Sequence, residues 1–134
     1  MAVDIVPEAR SWVGTPFRHQ GRLKDIGVDC VGFFLGVYTA VLGSDRLPPD
    51  RTDYGRETTG NLEHHLEKIA HRVPKSQMTA NDVLVIKFDK ARSHVAICAG
   101  DTMIHAYSLA RKVTEHRINN WWTNKIASVW RLHE

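Results

Sequence analysis

One cysteine and two histidines, in the order Cys30, His94, His105, are the residues of this chain best suited to nucleophilic chemistry. Cys30 follows Asp29 and heads the apolar run VGFFLGVYTAVL. A helix starting at Asp29 would leave unpaired backbone N–H groups around the sulfur. Such a terminus favours the thiolate of a group whose ordinary pKa is about 8.5. The same donors can face the oxyanion of an acyl transfer. His94 opens the strand-like segment HVAICA after a charged loop, where an imidazole projects past a sheet edge. His105 lies in TMIHAY, one Gly-Asp turn later, and paired strands bring such side chains together. Nucleophile, base and a third group that fixes the tautomer of the base would make a cysteine hydrolase.

Each of the three also has an ordinary structural role open to it, as a core thiol or a solvated strand-edge imidazole. Cys30, His94 and His105 are equally usual zinc ligands, but a fourth ligand and a Cys-x-x-Cys or His-x-x-x-His spacing are missing. His64, His65 and His71 fall on a polar helix face, and His116 and His133 have no partner in the pattern. Cys98, inside VAICA, reads as a buried small hydrophobe. Two cysteines make no disulfide framework. Trp121, Trp122 and Trp130 read as core or sheet-face packing.

The elements that must hold these residues follow from periodicity. Asp4 to Val13 reads as a first helix, with Pro7 near its start and Ile5, Ala9, Trp12 and Val13 on one side. Gly14–Pro16 ends it. FRHQGRLKDIG is polar, basic and aperiodic, hence a loop. Cys30 to Leu42 reads as a buried central helix, capped by Asp29 and stopped at Gly43. Leu47 to Gly60 is a polar loop marked by Pro and Gly, and Asn61 to His71 a short helix with Asn61 as cap. The period then changes. VLVIKF, HVAICA, TMIHAY, KVTEHRI and ASVWRL are five short strands whose close spacing makes them antiparallel. Helices first and strands afterwards is the α+β pattern.

At 134 residues the expectation is one domain, 1–134, with a real core. Eighteen basic against fifteen acidic residues leave +3, too small an excess to argue nucleic-acid binding, though compatible with work beside an acidic polymer. No apolar run approaches the ~20 residues of a membrane span. MAVDIVPEARSWVG lacks the basic start and unbroken apolar stretch of a signal peptide. The expectation is therefore cytoplasmic synthesis, with delivery by other means if the protein acts outside the cytoplasm.

The strings GTPFRHQGR, GVDCVGFF, NDVLVIK, SHVAI and MIHAY, in that order, resemble the NlpC-type cysteine peptidases of bacterial cell walls. RHQGR and HAYS are similar to the phage-tail branch of that family, also found in prophages. The resemblance runs from about Ala9 to Leu132. It implies a reduced papain-like fold, N-terminal helices packed on a C-terminal antiparallel sheet of about five strands. It also implies cleavage of peptidoglycan stem peptides, commonly between D-glutamate and a diamino acid, with no metal or organic cofactor. By the same resemblance Cys30 is the nucleophile, His94 the base and His105 the orienter. A thiolate of Cys30 paired with protonated His94 would attack the amide. Asp29 matches an acidic residue of the family, where helix capping also places it. Arg18 and Arg22, with Lys24, are expected to dock stem-peptide carboxylates. Phage or prophage tail assembly, action in the periplasm or cell wall, and tail-protein partners belong to the same set of expectations.

The sequence departs from the family at three positions. Phe17 stands where a tyrosine hydroxyl normally helps the oxyanion, and His19 or Gln20 would have to replace it. Val31 follows the cysteine where a small hydroxyl residue is usual, and Asn81 stands where glycine is usual. Loss of the Phe17 hydroxyl supports a rival reading, a tail component that keeps the fold without the activity.

Overall fold

The computed structural model describes residues 3–47, 62–90 and 92–134. Helix α1 (Val6–Ser11) is shorter than the periodicity predicts, and the side chain of Asn81 decides where it starts. Asn81 Oδ1 accepts from the amides of Ile5 at 2.8 Å and Val6 at 3.1 Å, so a residue 75 positions away caps the helix. Asn81 itself has φ 77°, the left-handed region where glycine and asparagine are the tolerated residues. Asparagine in place of the family's glycine therefore keeps the turn and adds a cap.

One strand pair precedes Cys30. The expected loop before Cys30 folds into a small hairpin, β1 (Arg22–Leu23) against β2 (Gly27–Val28). Helix α2 (Cys30–Leu42) has the predicted bounds, with Asp29 as N-cap and Gly43 as C-cap. Asp29 Oδ1 accepts from the Gly32 amide at 2.8 Å. A Cβ at position 32 would collide with the carbonyl of Gly21, and one at position 36 with the Trp12 ring. These two glycines let the hairpin loop and α1 lie directly on α2.

Helix α3 (Leu62–Leu66) stops short of the predicted end, because Ala70–Val73 form strand β3. The proposed cap Asn61 and most of the loop from Leu47 to Gly60 lie outside the described residues. Strands β4 (Val83–Lys87), β5 (Ser93–Cys98), β6 (Thr102–Tyr107), β7 (Lys112–Arg117) and β8 (Ile126–Leu132) follow. The main sheet thus has six strands where five were expected, in the order β3-β8-β4-β5-β6-β7, every pair antiparallel. The extra strand was hidden because AHRV is apolar only at its two ends, with no alternation over its four positions to separate it from a helix end. A last short helix, α4 (Asn120–Lys125), carries Trp121 and Trp122 and is capped by the Asn119 side chain.

The sheet separates two cores. On one face Val83, Val85, Val95, Ile97, Ile104 and Ala106 pack against Phe33, Val37 and Tyr38 of α2 and against α1. On the other, Leu84, Ile86, Ala96, Cys98 and Met103 pack against Trp122 and Ile126. Cys98 is fully buried there, and both cysteines are free thiols. No helix among the described residues is long and apolar enough to cross a membrane.

Candidate active site

The site forms where two neighbouring strands separate. β5 and β6 are six residues each, yet they pair only at Ile97↔Ile104 and Cys98↔Met103. Beyond those pairs the ladder is replaced by side chains and by the head of α2. The buried Cys30 thiol lies in hydrogen-bonding range of the backbone amide of Val95, the residue after His94. Across the opening, His94 Nε2 and His105 Nδ1 are 2.6 Å apart. Cys30 and the His94–His105 pair thus border the same β5–β6 gap, the thiol through the amide of Val95 and the imidazoles through each other. His94 Nδ1 is the ring nitrogen with no hydrogen bond among the described residues.

A third imidazole extends the chain, and the sequence reading missed it. His105 Nε2 is 2.7 Å from Nε2 of His116 on β7, and His116 Nδ1 is 3.0 Å from the Arg117 carbonyl oxygen. The signal was present: His94, His105 and His116 recur at intervals of eleven residues. Three successive antiparallel strands joined by short turns convert that interval into side-by-side placement. Tyr107 stacks on His105 at 5.0 Å, and Trp122 closes edge-on at 5.2 Å, so aromatic rings wall the chain from solvent. Phe88, 5.5 Å from the His94 ring, completes the wall, and Trp121 beyond it is half exposed.

The expected resident thiolate is not what this environment favours. Burial pushes the Cys30 thiol up to about 12, and the nearby Asp29 charge adds to the rise. The amides of Val95, Val31 and Cys30 pull the other way and do not prevail. Burial likewise lowers His94 to about 3 and, helped by its imidazole neighbours, His105 to about 2. Helix-start donors are present as expected, but desolvation outweighs them. Burial thus works against the ion pair that the sequence implied, on both the thiol and the imidazole.

Asp29 is a hub of the loop. Besides capping α2 it accepts from the Gln20 amide at 2.9 Å and from Arg22 Nη1 at 3.1 Å. Arg22 also donates to the Gly21 carbonyl at 3.0 Å. The guanidinium proposed to dock substrate is thus tied to the loop that covers the helix start. The Arg18 head is exposed, while its stem covers Gly27. His19 and Gln20 stand on the turn before β1, Gln20 with φ 60°. Phe17 is held by its amide on the Arg111 carbonyl and packs against the main core.

A shared zinc does not fit the two inner histidines. Nitrogens bound to one tetrahedral zinc at about 2.0–2.1 Å stand roughly 3.3 Å apart, whereas these are at 2.6 Å and bonded to each other. His71, expected on a helix face, lies on β3, and it stacks at 5.3 Å on His133, which was expected without a partner and follows β8. No metal-binding cluster occurs among the described residues.

A family model described as the NlpC/P60 family matches residues 14–131. Among curated proteins no match was found. The solved NlpC/p60 domain of the peptidoglycan hydrolase SagA is 27% identical, covers 97% of this chain and 96% of its own, and superposes with a TM-score of 0.62. An NlpC/P60 family protein from Bacillus cereus gives 22% identity and TM-score 0.68, over 96% of this chain and 39% of that one. An NLP/P60 family protein from Staphylococcus aureus, described as similar to a lipoprotein, gives 18% and 0.67, over 97% and 40%. This chain therefore spans about two fifths of the length of the last two.

Proposed function

The chain belongs to the NlpC/P60 family, and from that premise we propose that it is a cysteine peptidase cleaving amide bonds in peptidoglycan stem peptides. The supporting observation is the juxtaposition at the β5–β6 gap: a thiol at a helix start, one residue along from a histidine whose far nitrogen is held at 2.6 Å by a second histidine. In this reading His94 Nδ1 takes the proton of Cys30 as the sulfur attacks the carbonyl. Burial, which disfavours charge on both groups, supports general-base catalysis concerted with attack. The oxyanion collects at the amides of the α2 start. His94 then protonates the leaving amine, and water activated by the same imidazole releases the acyl group.

The D-glutamyl–diamino acid bond is the finer assignment, because its free carboxylates suit Arg18, exposed in the loop before Cys30. Assembly into a phage or prophage tail, with other tail proteins as partners and the cell wall as the place of action, rests on the RHQGR and HAYS wording alone.

Incubation of purified peptidoglycan with the protein is expected to release peptides. Thiol alkylation should block the release and EDTA should not. The rival, a structural tail component, is favoured by Phe17, which has no hydroxyl to offer the oxyanion, and by the raised Cys30 pKa. It predicts no release under any of these conditions.

A further inference from the structure

We infer that His116 is a positioning residue of this site: with the Arg117 carbonyl it sets the tautomer of the whole imidazole chain and so leaves His94 Nδ1 unprotonated. The inference rests on the peptidase reading for its catalytic meaning, but its geometry stands alone. A carbonyl oxygen can only accept, so His116 Nδ1, 3.0 Å from the Arg117 oxygen, carries its proton there. Neutral His116 then has a lone pair on Nε2. His105, 2.7 Å away, must donate from Nε2 and keep a lone pair on Nδ1. His94, 2.6 Å beyond, must in turn donate from Nε2. The one nitrogen left with a free lone pair is His94 Nδ1, the atom that has to accept the thiol proton.

The same bookkeeping makes the chain sensitive to acid. A proton added at His116 Nε2 turns that atom into a donor. His105 must then carry its proton on Nδ1, and His94 must carry its own on Nδ1. Three protons before and four after balance with one positive charge, held on the imidazole that is only partly buried. The base is lost although no proton from solvent has reached it directly. The ionisable groups along the chain are His94 on β5, His105 and Tyr107 on β6, and His116 and Arg117 on β7. On α4 the facing ring is Trp122, 5.0 Å from His116, with Lys125 held over Trp121.

Two-dimensional ¹⁵N spectra of histidine-labelled full-length protein near pH 7.5, without substrate, read the tautomers directly. The expected pattern is Nε2–H on His94 and His105 and Nδ1–H on His116; Nδ1–H on His105 overturns the inference. His116→Gln, whose carbonyl can still accept from His105, should keep the pattern and the activity. His116→Ala should mix the His105 tautomers and lower kcat on a muropeptide about tenfold with KM unchanged, one hydrogen bond's worth of orientation. Wild-type kcat and a wild-type acid limb of the pH profile in His116→Ala also overturn it. If the spectra are as expected but no muropeptide is cut, the relay stands and the peptidase reading fails.

Discussion

At Cys30 two environmental effects oppose each other, and their balance decides how the residue reacts. The helix start supplies donors, while burial and Asp29 disfavour charge. Iodoacetamide should therefore alkylate Cys30 slowly at pH 7, at a rate still climbing above pH 9. A fast plateau between pH 4 and 8 would mean a resident thiolate–imidazolium pair and contradict this reading. The cysteine and the two inner histidines were legible because their residue types are rare and each sits beside a recognisable string. His116 was marked only by its eleven-residue spacing from His105, which gains meaning once the register of β6 and β7 places Met103, two residues from His105, opposite it. The direction of the Cys30 shift was not legible either, since the capping pattern is local while burial is a property of the packed whole.

Element boundaries show the same division. Helix α2 was readable to the residue because its cap, apolar run and stop are contiguous. Helix α1 was not, because its cap comes from Asn81, in the turn that precedes β4. Replacing Asn81 by Ala removes the cap and forces a Cβ without a compensating amide into φ 77°. The expected loss is about 1–3 kcal/mol, read as a shift of the urea midpoint. Asn81→Gly relieves the backbone but loses the cap, and should cost less; equal stability of all three proteins would remove Asn81 from this role. Gly32→Ala drives a methyl into the Gly21 carbonyl, so the covering loop must lift. The account expects lost stability together with faster Cys30 alkylation, and unchanged alkylation would show that the loop does not shield the thiol.

For the molecule as a whole, burying two histidines and a thiol ties stability to pH. His94 and His105 are held far below the unfolded value near 6.5. Below that pH the unfolded chain binds protons that the folded chain refuses, so stability falls on acidification, by up to about 1.4 kcal/mol per pH unit for each histidine. Above about 8.5 the unfolded chain loses the Cys30 proton that the folded chain keeps, and stability falls again. Urea midpoints should thus peak between roughly pH 6.5 and 8.5, and His94→Asn should flatten the acid side; a midpoint independent of pH would contradict the burial argument. The α+β class and the order of helices and strands were open to reading because the hydrophobic period changes once along the chain. The sixth strand and the parting of β5 from β6 were not, since pairing between distant segments leaves no local mark. The central claim, that the thiol at this gap performs amide hydrolysis, is tested most directly by mass analysis of purified muropeptides after incubation with the wild-type protein and with Cys30→Ala. The account predicts fragments lighter by one side of a stem-peptide amide with the wild type and none with Cys30→Ala; identical spectra from the two proteins would contradict it.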